Sequence, residues 1–451
     1  MNTNDHSEPD AAKVLDTPDN EPGQPSSFRP RAQYTVWLLF IVLTLNIVDR
    51  QVINILAHPI SEELDLADWQ LGLLTGLAFA FFYNLSAIPL GRLADNPRTN
   101  RVWLISGAVA VWSTATAACS TASNFFHLVL ARIGVASSES ACTPTAHSMI
   151  ADLVPKSARG RALAIFGLGV PLGALIGKAG GGLLTEHFGW RSAFLLVGLP
   201  GLVIALIFLI TVKEPRRASS HIAKPKMRLV DVLKIIAKSP AVLYMMFGTA
   251  FAMFLVTGGS VWGMIHFLRN HGLSEGTAGV WLGMTGGIAG LTGTWLGGWL
   301  ADKLGQKNPA FYILPAMFAM LLSVPFLFFA WWTDNWGVAI ILLFLPDMFD
   351  NMYYGGTFAS LQLLLPPETR ATVTACFLFV TTMIGYGLGA FTFGIASDVL
   401  KPYVSGAPSE SIRWVLMGAA ILYLVPAVCY WRASISLGRE LPTGSEKPGP
   451  A

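Results

Sequence analysis

At 451 residues, 53% hydrophobic and only 13% charged, with a mean hydropathy of +0.54, the chain is far too apolar for a soluble protein and reads as an integral membrane protein. A formal charge of +3 is too small to mark a nucleic-acid binder, so where the charges fall matters more than their sum. The four cysteines, Cys119, Cys142, Cys376 and Cys429, lie singly in apolar stretches, without the spacing of a metal site or a disulfide framework, and read as packing residues.

Residues 1–32 are rich in Asp, Glu, Pro and Ser and lack an apolar core. They predict a disordered segment with no cleavable signal peptide, leaving the first helix to direct insertion. Stretches able to cross about 30 Å of hydrocarbon at roughly 20 residues each follow near 34–58, 69–94, 102–121, 125–150, 160–185 and 191–212, then near 240–268, 276–302, 310–331, 337–364, 371–398 and 412–433. The predicted fold is all-α, with twelve transmembrane helices in two pseudo-symmetric six-helix bundles over 33–212 and 239–433. A polar linker over 213–238 joins them, and a disordered tail fills 434–451. Within the linker, Arg228 to Ala237 alternates Leu229, Val230, Leu233 and Ile236 with Asp231 and Lys234, the pattern of an amphipathic helix on the membrane surface. Of the 30 Lys and Arg residues, 23 fall on the side of the two termini, against Arg191, Arg269, Lys401 and Arg413 on the other, which predicts cytoplasmic termini.

Charges inside these helices are the candidate functional residues. Asn46-Ile-Val-Asp-Arg-Gln51 places two charges within an apolar helix, where each costs roughly 2.5–3.5 kcal/mol by insertion scales and so predicts a polar cavity. The fourth helix carries Arg132 and Glu139, seven residues apart and on one face. If helices one and four share a cavity, Arg132 reaches Asp49; the bland alternative is a set of buried ion pairs that only hold the bundle together. The glycine-rich fifth helix carries Lys178, for which two readings stay open: anchoring an anionic group, or snorkelling to the interface. The tenth helix holds Asp347, Asp350 and Asn351, and Trp262, Tyr353 and Tyr354 are expected, with those three, to line a substrate cavity. His58, His127, His147 and His266 lie near helix ends and read as interfacial residues. No phosphate-binding loop argues for an ATP-driven pump, and no nucleophile-base set or metal-ligand cluster argues for an enzyme or a cofactor.

Gly91-Arg-Leu-Ala-Asp95 and Gly298-Trp-Leu-Ala-Asp302 end the second and eighth helices, 207 residues apart. The glycine permits close helix approach, and the aspartate can cap or pair with a helix terminus. Two copies in a six-plus-six chain resemble the signature of the major facilitator superfamily of secondary transporters. The second copy continues as Lys303-Leu-Gly305-Gln-Lys307, in that pattern, whereas the first has its basic residues displaced to Arg98 and Arg101. The same offset carries Glu139 to 346, beside Asp347, but carries Asp49 to Val256, so the charged pair has no counterpart in the second half.

Within that superfamily, Asp49-Arg50, Ala131-Arg-Ile-Gly134 with Glu139, Pro144-Thr-Ala, Ile150-Ala-Asp-Leu153 and Val212-Lys-Glu-Pro-Arg-Arg217 resemble the spinster group of lysolipid and sphingolipid transporters. The resemblance implies alternating access and proton coupling. Asp49 and Glu139 would then be the proton-sensitive carboxylates, and Arg50, Arg132 and Lys178 the cations for salt bridges or a substrate anion. It implies a lysophospholipid or sphingoid phosphate as substrate, with protons as coupling ion and the lipid bilayer as surroundings; a monomer is expected. A symporter of a small organic anion such as a sugar acid is the rival reading, and a membrane sensor without transport is the rival of another class.

Overall fold

The computed structural model describes residues 30–215, 229–366, 369–404 and 410–441. The segments 1–29 and 442–451, where disorder is expected, and most of the linker, 216–228, lie outside the described residues.

Twelve helical spans run back and forth: α1 (Pro30–Leu64), α2 (Asp68–Asp95), α3 (Arg101–Cys119), α4 (Phe125–Glu139 and Cys142–Leu153), α5 (159–188), α6 (190–211), α7 (Pro240–Arg269), α8 (Glu275–Gly305), α9 (Pro309–Trp332), α10 (Trp336–Phe349 and Tyr353–Leu364), α11 (370–400) and α12 (Glu410–Glu440). Length and apolarity alone pick out eight continuous helices among the described residues. The count rises to twelve because α5 and α6 form one 53-residue rod that turns at Gly189, and because α4, α8 and α10 also cross. Gly189 has φ 75°, a left-handed conformation that side chains with a Cβ resist, so a glycine is what the turn requires.

Polar residues in the connections define where helices begin. Asn100, Asn124, Ser239, Ser274 and Asn335 each accept from backbone N–H groups of the first turn of α3, α4, α7, α8 and α10. The surface helix of the linker is present over Leu229–Lys238, with Val232 and Ile236 buried and Leu233 exposed. At the chain ends the structure corrects the expected limits: α1 starts at Pro30 and extends to Leu64, and α12 continues to Glu440 where 433 was expected.

The two halves meet along α5 against α8 and α2 against α11. In the latter contact two π-helical turns, Leu73–Leu77 and Met383–Leu388, face one another closely; a Cβ on Gly76 would lie 3.0 Å from the Tyr386 carbonyl oxygen. At the end of the bundle opposite the termini, here the far end, the halves are tied by charge. Asp68 of α2 is 1% exposed and pairs with Arg269 of α7 at 2.8 Å and Lys401 beyond α11 at 2.9 Å, while accepting from Ser397 at 2.8 Å. Trp69 N–H donates to Asp398 at 2.8 Å, and Arg269 also donates to Ser61 at 3.1 Å. Burial would lower the Lys401 pKa, but its bonds to Asp398 and Asp68 prevail and raise it above the ordinary lysine value.

Candidate functional site

In each half one helix, α4 or α10, breaks into two pieces near the middle of the bundle, and each of these breaks carries a carboxylate; α12 is also interrupted, at Tyr423. Glu139 is the last residue of the first piece of α4, and Asp350 follows the first piece of α10. Irregular backbone at this depth occurs where protein or a cavity satisfies it, which marks both breaks as candidate sites.

In the first half Glu139 is fully buried, and its Oε2 accepts from Arg50 Nε at 2.8 Å. The Arg50 guanidinium lies 4.5 Å from the ring centre of Tyr83 and 5.2 Å from that of Phe79; the Arg132 guanidinium lies 5.0 Å from Phe79 on the same wall. These α2 rings cover the cations and add cation–π attraction where water is excluded. Arg132, 1% exposed, reaches the Asp49 backbone carbonyl at 3.4 Å and forms no ion pair with the Asp49 carboxylate among the described residues. The structure therefore replaces the expected Arg132–Asp49 pairing with a single ion pair, Arg50–Glu139. Three buried polar atoms beside it, Asp49 Oδ1, Glu139 Oε1 and Arg132 Nε, have no hydrogen-bond partner.

A cavity of about 200 Å³ lies between the halves on the far side of the breaks. Gln51 and Lys178 reach it from the first half, and Asp347, Asp350, Asn351 and Tyr423 from the second. Lys178 Nζ and Asp347 Oδ2 lie 3.8 and 3.6 Å from the point a Cβ on Gly286 would occupy, so the missing side chain leaves them facing each other. Lys178 thus borders the cavity rather than snorkelling away. Asp350 is 8% exposed and accepts from the Tyr423 hydroxyl at 3.1 Å; Asn351 donates to the Asp347 backbone oxygen at 2.9 Å.

Three residues expected on the cavity wall are elsewhere. Trp262 is fully buried and donates its indole N–H to Ala390 O at 2.8 Å, fixing α7 to α11. Tyr353 is buried and stacks on the half-exposed Tyr354 with ring centres 4.4 Å apart, and neither borders the cavity. Their aromatic type suited a pocket, but helix rotation turns Trp262 and Tyr353 into packing contacts and leaves Tyr354 partly exposed away from this cavity. His266, read as interfacial, is 1% exposed between Trp331, Phe267 and His271.

The repeated motif occupies equivalent positions: Ala94 and Ala301 are each 1% exposed, while Asp95 and Asp302 are exposed. A Cβ on either motif glycine, Gly91 or Gly298, would meet nothing within 4 Å. In the second half it is Gly355 of α10 that makes the approach close, since a Cβ there would come within 2.8 Å of the Gly298 Cα. Arg101, the displaced basic residue of the first copy, is fully buried and gathers three elements. It bonds Glu214 beyond α6 at 2.7 Å, and Ser148 and Asp152 of α4 at 2.8 Å each. Sequence reasoning read Arg101 as a displaced basic residue of the motif, counted Arg269 and Lys401 only as topological charges, and passed over Asp68, which lies just outside the expected second span.

Two six-helix halves around a charged central cavity define a multi-pass membrane transporter, and the chain belongs to the Major Facilitator Superfamily, whose family model matches residues 39–390. It is 31% identical over 411 residues to an MFS-type efflux pump of Mycolicibacterium smegmatis, covering 91% of this chain and 94% of that one. It is 26% identical over 411 residues to protein spinster homolog 1 of Mus musculus, covering 86% and 77%. The crystal structure of a bacterial homolog to the human lysosomal transporter Spinster, inward-facing and unoccupied, superposes with a TM-score of 0.83 at 27% identity, over 94% of this chain and 100% of that one. Within the superfamily it is a transporter of the spinster group.

Proposed function

We propose that the protein is a proton-coupled secondary transporter of an amphiphile bearing an anionic group, of the lysophospholipid or sphingoid phosphate class. It works by alternating access with both termini in the cytoplasm. The observation that carries this reading is the buried Arg50–Glu139 pair with Glu139 Oε1 and Asp49 Oδ1 left unpartnered. A substrate anion that draws Arg50 away leaves Glu139 a buried, unpaired carboxylate, which is costly unless it takes up a proton. When substrate leaves, the ion pair re-forms and the proton is released. Asp49 stands next to this exchange without a salt bridge among the described residues, as a second proton acceptor. With the termini cytoplasmic, the far-end ties through Asp68 hold the outer side closed, and rocking of the halves must break them.

Proteoliposomes test this directly. An imposed proton gradient should drive accumulation of a lysophospholipid, and Glu139→Gln and Asp49→Asn should each uncouple accumulation from the gradient. Full coupling retained in both variants overturns the carboxylate mechanism. Lys178 adds a cation to the cavity and favours a small organic anion as the second reading; gradient-driven uptake of a sugar acid but of no lysolipid would establish it. Binding without movement of either would leave a sensor.

A further inference from the structure

The cavity beyond the Arg50–Glu139 pair has a charge arrangement that an anion site does not need. Three of its lining residues are charged: Lys178, Asp347 and Asp350. Lys178 Nζ and Asp347 Oδ2 both approach the Cβ position of Gly286, at 3.8 and 3.6 Å, so the one cation stands nearest one carboxylate. Asp350 is left over. It is 8% exposed, its Oδ2 is held by the Tyr423 hydroxyl, and its Oδ1 has no hydrogen-bond partner. A buried carboxylate oxygen beside a mostly apolar space is expensive unless a cation or a proton meets it. Trp331 and Phe267 border the same space as packed walls, 4% and 0% exposed, and supply no competing charge.

We infer that this cavity is an ammonium subsite: it receives a positively charged amine of the transported molecule against Asp350. The inference rests on the transport reading and deepens it, since it makes the preferred cargo zwitterionic, with its anion at Arg50 and its amine at Asp350. At about 200 Å³ the cavity suits a headgroup and not an acyl chain. Gly286 is then a specificity position, because a side chain there would stand against both the lysine and Asp347.

The test uses the full-length purified protein and two soluble probes of equal chain length, hexylammonium and hexyl phosphate, with binding followed by calorimetry. Wild type should bind both. Asp350→Asn, which keeps the shape and the Tyr423 bond, should weaken hexylammonium roughly tenfold or more, as loss of a charged hydrogen bond predicts, and leave hexyl phosphate unchanged. Tyr423→Phe keeps the carboxylate and should keep hexylammonium binding. Arg50→Gln should show the reverse selectivity, losing hexyl phosphate alone. Binding of hexyl phosphate without hexylammonium overturns the ammonium subsite and leaves the anion reading standing. Equal losses of both probes in Asp350→Asn and Tyr423→Phe reduce Asp350 to a structural role and also overturn the subsite. Failure of both probes removes the subsite together with the anion reading.

Discussion

In the first half, the carboxylate at the break of α4 is met by a guanidinium of the same half, Arg50, under two aromatic rings. In the second half, the carboxylate at the break of α10 has a phenol on one oxygen and nothing on the other, and the cation that faces its neighbour Asp347, Lys178, belongs to the opposite half. One backbone plan is thus wired in two ways. A pair confined to one half moves as a body when the halves rock, so only an incoming charge or proton opens it. Charges set on opposite halves, as Lys178 and Asp347 are, change their separation with the rocking itself. The first arrangement suits coupling to a ligand and the second suits reporting which side of the cavity is open.

Three measurements would break or sharpen this contrast. The largest effect is expected from Arg50→Ala, which leaves Glu139 buried without its partner and should cost about 3–5 kcal/mol in thermal unfolding of the purified protein, as removal of one member of a buried ion pair does. Adding Glu139→Gln should recover part of that loss; no recovery would mean that the pair is not a self-contained unit of the first half.

A smaller effect should follow Asp68→Asn, which removes the charge that ties α2 to Arg269 and Lys401. Charged hydrogen bonds contribute roughly 1.5–3 kcal/mol each, so the population with the far end open should rise by tenfold or more, roughly one decade per 1.4 kcal/mol. Spin labels at Glu62→Cys and Tyr403→Cys, in a background without the native cysteines, should report a longer distance population. An unchanged distribution would show that the apolar contacts of α2 with α11 suffice to close that end.

The smallest effect concerns pH. Lys401 is held protonated by Asp398 and Asp68, with its pKa above the ordinary lysine value. A raised value in the folded protein means that its contribution is complete below the unfolded-state pKa and is lost only as pH rises through the folded one. The same label pair should therefore show no opening between neutral and mildly alkaline pH. Opening in that window would remove Lys401 from the far-end tie and leave Arg269 alone to carry it.

Much of the fold was legible because its signals are local. Hydropathy marked twelve spans, the Gly-x-Leu-Ala-Asp repeat paired α2 with α8, and the seven-residue spacing of Arg132 and Glu139 put both on the buried face of α4. The candidate site was legible as a set of residue types and only partly as a set of contacts. Asp49, Arg50, Arg132 and Glu139 do converge, but Glu139 pairs with Arg50, and Arg132 meets the Asp49 backbone. Trp262 looked like a cavity residue by type and is a fastener by position. Arg101 looked like a displaced motif residue and is a buried hub.

The sequence by itself determined that this chain lives in a bilayer, how many times it crosses, that it is built twice over, and which half carries the Asp-Arg pair. These follow from runs of residue type, which need no knowledge of neighbours. Tertiary structure alone decided the partners. Arg50 and Glu139 are 89 positions apart and Asp68 and Arg269 are 201 apart, so the rotation and approach of separate helices select each contact. Lys178 faces Asp347 for the same reason: α5 and α8 pack closely enough, at a glycine, to bring one half's cation into the other half's cavity.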